Sequence, residues 1–142
     1  MDPGSESLVL DSRLEAIDLA RRFARARAEL AGFDADGVSA IELALTEALS
    51  NVIVHAYGGR PDGEIGLTIT VDDSVLRLEV LDNGRPFDPE GYSPPDLSEP
   101  GRGGYGIMLI ETLMDDVARE RRPDGHTCLS LAKRRPPGVP HA

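Results

Sequence analysis

Two alternating runs on either side of a short acidic turn constrain the fold most. Ile65, Leu67, Ile69 and Val71 alternate with Gly66, Thr68 and Thr70, and beyond Asp72-Asp73 Leu76, Leu78 and Val80 alternate with Arg77 and Glu79. A period of two predicts a β-hairpin that is apolar on one face only. A second pair of strands is expected at 117–122 and 126–133 across Pro123-Asp124-Gly125, and a short strand at 7–10. The remaining segments follow the helical period. One helix is expected over 13–31, capped by Asp11 or Ser12 with Glu15 closing a capping box, and with Ala16, Leu19, Ala20, Phe23 and Leu30 as its apolar arc. A second runs from about 36–39 to Tyr57 with Ile41, Leu45, Ala48, Leu49 and Val52 facing the core, and a third over 104–115. Because the strands come in hairpins and do not alternate with helices, the pattern predicts an α+β two-layer sandwich. Its sheet is mixed, mostly antiparallel, and covered on one face by three helices.

A chain of 142 residues suits one domain. That domain is expected over 8–134, between a disordered N-terminus (1–7) and a disordered tail (135–142) broken by Pro136, Pro137 and Pro140. A lone cysteine, Cys128, excludes an internal disulfide and a multi-cysteine zinc site. The acidic N-terminus and the lack of a long uncharged run predict neither a secretory segment nor a membrane span, and hence a cytoplasmic protein. A formal charge of −10 argues against direct nucleic-acid binding and for protein or small-molecule partners. Lys133 is the only lysine, which removes the Gly-Lys-Ser/Thr phosphate loop and the strand lysine of the eukaryotic-type protein kinases.

Three polar groups stand where a core pattern does not ask for them. Glu47 and Asn51 are four apart on the second helix and share a face, with His55 a further turn on and Val52, Ile53 and Val54 beside them. Alone, such a pair is more often a solvated stripe. Asp82-Asn83-Gly84 ends a strand, which needs no function either. An aspartate fixed there can nevertheless accept a hydrogen bond from an exocyclic amine, and Gly84 lets a flat ring approach the backbone. Gly101-Arg102-Gly103-Gly104-Tyr105-Gly106 precedes the third helix, where a glycine run is either a flexible linker or a cradle of N–H groups for phosphates, with Arg102 as an extra charge. Between these groups, 84–103 carries five prolines and no period, as expected of a functional loop or lid.

The order and spacing of these motifs resemble the GHKL superfamily, the histidine-kinase-like ATPase fold of gyrase, heat-shock chaperone and histidine kinase ATP-binding domains. Within it, 47–57, 82–88 and 106–115 are most similar to the bacterial anti-sigma-factor serine kinases. The resemblance implies ATP or ADP with Mg²⁺ as cofactors, Asn51 as the Mg²⁺ ligand and Glu47 as the catalytic base. It further implies Asp82, beside Gly84, as the reader of the adenine amine, Thr127 close to the adenine, and Gly101, Arg102, Gly103, Gly104 and Gly106 around the phosphates. A neutral amide suits Mg²⁺ when a triphosphate supplies the negative charge. Implied partners are a sigma factor, an anti-anti-sigma (antagonist) protein phosphorylated on serine, and a second copy of the chain in a homodimer, all serving transcription regulation in a stress response. Tyr105 and the proline-rich lid depart from the family pattern. A cluster of Arg21, Arg22 and Arg25 on the first helix is either a partner contact or a solvated face balanced by Glu15, Asp18 and Glu29. The competing functional reading is a nucleotide-binding switch that transfers no phosphate. The catalytic half of a sensor histidine kinase lacks a preceding phosphoacceptor region, and a ligand-free scaffold leaves three motifs unexplained.

Overall fold

The computed structural model describes residues 4–85 and 105–137. Its elements run in the expected order: β1 (Ser5–Asp11), α1 (Leu14–Leu30), α2 (Ala35–Asn51), a π-helical turn (Val52–Ala56), β2 (Glu64–Val71), β3 (Val75–Asp82), α3 (Tyr105–Leu113), β4 (Asp116–Arg121) and β5 (Thr127–Arg134). Among the described residues the sheet has strand order β1-β2-β3-β5-β4. Every neighbouring pair is antiparallel, so the sheet is uniform where a mixed one was expected. The β2–β3 turn is fixed by Asp72, whose Oδ1 accepts the Ser74 and Val75 N–H groups at 2.7 and 2.8 Å. Those two bonds lower the Asp72 pKa.

The alternation in β2 and β3 translates directly into faces. Ile65, Leu67, Ile69, Leu76, Leu78 and Val80 are buried with the helices, joined by Leu129 and Leu131 of β5. The opposite face is a polar ladder: Ser7 and Thr68 hydroxyls meet at 2.9 Å, and the Arg77 guanidinium donates to Ser130 Oγ at 3.0 Å. Cys128 lies in this ladder yet is buried, with Sγ 3.7 Å from Glu79 Oε2. Burial, reinforced by Glu79, raises its pKa although Arg122 opposes the shift, so it remains a thiol.

The helices pack as expected for α2 and differently for α1. Val38, Ile41, Ala44, Leu45, Ala48 and Leu49 of α2 are buried. With the π-helical turn, α2 is apolar and long enough by composition to cross a membrane, but half of that stretch is buried inside the domain, as befits a core helix. On α1 the buried stripe is Ala20, Ala24 and Ala28, whereas Leu19 and Leu30 are 50% and 71% exposed. Small side chains at i, i+4 and i+8 let the helix lie close to the core, and this rotates the larger leucines outward. Ser12 does not cap α1. It is buried, its hydroxyl donating to the Arg60 carbonyl and accepting from the Gly63 N–H at 2.8 Å, and Arg13 takes the N-cap position with no side-chain bond. The arginine cluster is internally paired. Arg21 and Arg22 reach Asp18 at 2.5 and 3.3 Å, Arg25 reaches Glu29 at 3.1 Å, and Arg21 and Arg25 approach Glu42 of α2 at 3.8 and 3.9 Å.

The alanine stripe makes a clear prediction. Ala24→Leu should destabilise the domain by about 1–3 kcal/mol through overpacking, while Leu30→Ala should stay within about 0.5 kcal/mol of the wild type as a surface change does. Urea unfolding of the two variants measures both.

Candidate functional site

The C-terminal end of α2, the end of β3 and the start of β5 converge at one edge of the two layers. Asp34 caps α2, accepting the Gly37 N–H at 2.9 Å. Glu47 and Asn51 are partly buried one turn apart near its far end. There the helix widens: the Tyr57 N–H bonds the Val52 carbonyl at 3.0 Å, five residues back. The α-helical winding expected through Tyr57 thus stops at Asn51, and His55 drops out of the Glu47–Asn51 row. The His55 side chain is exposed, and its carbonyl accepts from the Arg85 guanidinium at 3.1 Å.

The π-helical turn delivers Ala56 and Tyr57 to the strand ends. The Arg85 N–H donates to the Ala56 carbonyl at 2.7 Å. A Cβ on Gly84 would lie 2.5 Å from that oxygen and 2.7 Å from its carbon. Gly84 is therefore required for backbone contact with Ala56, a different reason from the ring approach expected of it. Tyr57 is buried between the same elements. Its hydroxyl donates to the Glu64 carbonyl and accepts the Asn83 N–H at 3.0 Å, while a Cβ on Gly63 would fall 2.5 Å from its ring. Burial raises the Tyr57 pKa above the ordinary phenol value.

Asp82 occupies a core position. It continues the buried series Leu76, Leu78, Val80 along β3 and is itself 4% exposed. Its partner in register across β5 is Thr127, also buried, so two residues far apart in the chain form one polar pair at the end of an apolar face. Oδ1 of Asp82 accepts the Gly84 N–H at 3.0 Å. Burial raises the Asp82 pKa, opposed by that N–H and by the charges of Arg119, Arg121 and His126.

Gly106 lies in α3, whose described part begins at Tyr105. Gly101, Arg102, Gly103, Gly104 and, of the lid expected over 84–103, residues 86–103 lie outside the described residues. Sequence reasoning missed Tyr57, Ala56, Arg119 and Arg121. The signal available for the arginines was the alternation Val117, Arg119, Arg121, which puts both on the helix-facing side of β4.

A buried aspartate at a strand end thus stands opposite a threonine, and the strand end is stapled to the helix that bears a Glu and an Asn one turn apart. The model of one family, the histidine kinase-like ATPase domain, matches residues 10–133. The chain belongs to that family. Among relatives, a protein named serine-protein kinase RsbW from Listeria monocytogenes is 36% identical over 119 residues, covering 78% of this chain and 76% of its own. An anti-sigma F factor from Clostridium botulinum is 30% identical over 131 residues, covering 85% and 92%. Of solved structures, the RsbU and RsbW domains of a Mycobacterium tuberculosis protein match with TM-score 0.67 and 20% identity, over 93% of this chain and 33% of that one. A blue-light activated histidine kinase from Erythrobacter litoralis matches at 0.54 and 21%, over 82% and 40%. These two share the fold.

In a histidine kinase-like ATPase domain of this shape, a buried Asp82 carboxylate carries a stability cost with a defined pH dependence. A carboxyl whose folded pKa stands above its unfolded value adds stability at pH below the unfolded pKa and loses it as pH rises through the folded pKa. Asp82→Asn, which keeps an acceptor for the Gly84 N–H, is therefore expected to melt higher than the wild type at pH 7, the gap closing on acidification. Calorimetric melting of the nucleotide-free proteins across pH checks it.

Proposed function

We propose that the chain, with residues 8–134 as its functional domain, is a cytoplasmic anti-sigma factor and ATP-dependent serine kinase. It phosphorylates an anti-anti-sigma protein and thereby changes which partner it holds, regulating transcription in a stress response. The observation that carries this reading is Glu47 one helical turn from Asn51, on the helix whose end is stapled to the Asp82 strand end. That arrangement supports assigning acid–base chemistry and adenine recognition to one site, and the relatives named serine-protein kinase and anti-sigma factor support the same reading.

Each residue has a distinct task. Asp82, with Thr127 beside it, accepts the adenine amine. The backbone at Gly101, Gly103, Gly104 and Gly106, with Arg102, holds the phosphates. Among the described residues no three His, Cys, Asp or Glu side chains gather as metal ligands. Asn51, a neutral amide on a partly exposed helix row, fits a Mg²⁺ whose remaining ligands are phosphate oxygens and water. When bound, that ion neutralises charge developing on the triphosphate. Glu47 takes the proton from the incoming serine hydroxyl as its oxygen bonds the γ-phosphorus and the bond to the β-phosphate oxygen breaks, leaving ADP. Sigma factor and antagonist are the partners, and a homodimer is the acting form.

Glu47→Gln is expected to keep ATP affinity while losing phosphotransfer by about 10²- to 10⁴-fold. Asn51→Ala should weaken only the Mg²⁺-dependent part of binding. Labelled ATP transfer to antagonist, measured beside calorimetric binding, separates the two effects. Equal transfer by wild type and Glu47→Gln would replace the kinase with the nucleotide-dependent switch.

A further inference from the structure

The β2–β3 ladder is closed at one end by a side chain that neither strand supplies. Ile65 and Asp82 are the last partners of that ladder, and Glu64 and Asn83 are the next residues outward in the same register. The Tyr57 hydroxyl stands between these two. It donates to the Glu64 carbonyl and accepts the Asn83 N–H at 3.0 Å, so one oxygen joins β2 to the residue that follows β3. Both bonds use the neutral phenol. Burial raises the Tyr57 pKa, which keeps on the oxygen the proton that the Glu64 bond needs.

The ring that carries this hydroxyl has little room to move. Tyr57 is 6% exposed, and a Cβ on Gly63 would fall 2.5–2.6 Å from three of its ring carbons, so the ring lies directly on the Gly63 backbone. The Gly63 N–H is itself held by the Ser12 hydroxyl at 2.8 Å. At the main chain, the Tyr57 N–H bonds the Val52 carbonyl at 3.0 Å, and the Tyr57 carbonyl accepts the Arg60 N–H at 3.1 Å and its Nε at 3.0 Å. What the hydroxyl holds is the middle of the turn that carries Asp82. Asn83 lies between Asp82 and Gly84, and the Gly84 N–H bonds back to Asp82 Oδ1 at 3.0 Å. In such an Asx turn the carboxylate follows the backbone two residues on. The Asn83 N–H belongs to the peptide between them, so its bond to Tyr57 sets the plane from which the Asp82 side chain projects.

We propose that Tyr57 is a positioning residue for base recognition: its hydroxyl, clamped between the Glu64 carbonyl and the Asn83 N–H, fixes the Asp82–Gly84 turn so that the carboxylate meets the amino group of the base in one orientation. A hydrogen bond weakens steeply as its angle closes, so a small rotation of this turn removes most of the selectivity for the base. Contacts to the rest of the nucleotide are untouched by that rotation. The inference rests on the adenine-reading role of Asp82.

The test compares calorimetric affinities for ADP and for purine riboside 5′-diphosphate, which lacks the amino group, in wild type, Tyr57→Phe, Asp82→Asn and the double variant. The wild type should prefer ADP by about ten- to a hundredfold, the value of one charge-assisted bond. Tyr57→Phe keeps the ring and removes only the hydroxyl. Its preference for ADP should fall to within about threefold, with affinity for the analogue unchanged within the same factor. In the Asp82→Asn background the same substitution should alter neither affinity, because the two residues act through one bond. Gly63→Ala keeps the hydroxyl but drives a methyl group into the ring, and it should lower the preference likewise where Tyr57→Phe does not fold. A purely structural residue would lower the melting temperature and leave the preference as it is. A wild-type preference in Tyr57→Phe would overturn the proposal, and so would an equal loss for both nucleotides, which would mean that Tyr57 supports the pocket as a whole. A wild-type preference in Asp82→Asn would instead remove the adenine-reading role beneath it.

Discussion

The contact between the Ala56 carbonyl and the Gly84–Arg85 backbone holds the two halves of the site in register. Helix α2 and strand β3 belong to different layers, and layers held together by side chains alone slide on a scale of ångströms as those side chains change. Here the join is backbone to backbone, a 2.7 Å hydrogen bond from Arg85 with no room for a Cβ at Gly84. Tyr57 repeats the tie on the other side of the strand end, linking Glu64 and Asn83 through one hydroxyl. Ser12 closes a third link between the start of α1 and the Arg60–Gly63 segment. Asn51 and Asp82 are thus fixed relative to each other by rigid main chain, as a site that grips one ligand at two distant points requires.

The π-helical turn makes these ties possible. An α-helix continued to Tyr57 would have presented Ala56 and Tyr57 at a different angle, because each residue of an α-helix turns the next by about 100°. Winding by one extra residue per turn re-aims the last five residues without disturbing the α-helical spacing of Glu47 and Asn51. Such turns carry poorer hydrogen-bond geometry than the α-helix, and their occurrence at functional sites reflects what they place there. The Arg85 guanidinium on the His55 carbonyl, at 3.1 Å, satisfies one of the carbonyls that the irregular end leaves without a helical partner.

Much of this was legible in the sequence, and the parts that were not share a cause. The strand faces followed from alternation at 65–71 and 76–80, and the Glu47–Asn51 pair followed from a spacing of four. Asp82 was identifiable as a strand-end acid, but its pairing with Thr127 depends on a register between strands far apart in the chain, which no local pattern encodes. The α1 stripe was misjudged in part because periodicity weighted by side-chain size selects Leu19 and Leu30, whereas close packing keeps the expected Ala20 and adds the equally small Ala24 and Ala28. Ser12 looked like a cap because its local sequence fits one, and a long-range bond to the Gly63 N–H claimed its hydroxyl instead. Gly84 was rightly singled out for the space a missing Cβ leaves, and only the structure shows that Ala56 fills it.

The two ends of the site are built on different physics. At the end proposed for the adenine, Asp82 and Thr127 take core positions on a sheet, dry and fixed by strand pairing. An acceptor buried there discriminates strongly, because a ligand without the matching donor leaves it unpaired. The same burial disfavours the carboxylate in the free protein, and the charges of Arg119 and Arg121 on the edge strand oppose that effect. Glu47 and Asn51 sit on a partly exposed helix row, where water can complete the coordination of an ion and a protein hydroxyl can enter. In the proposed reading, a strand end that reads the base and a helix end that meets the phosphates assign specificity and chemistry to separate elements. The Ala56–Gly84 contact is what holds those elements together.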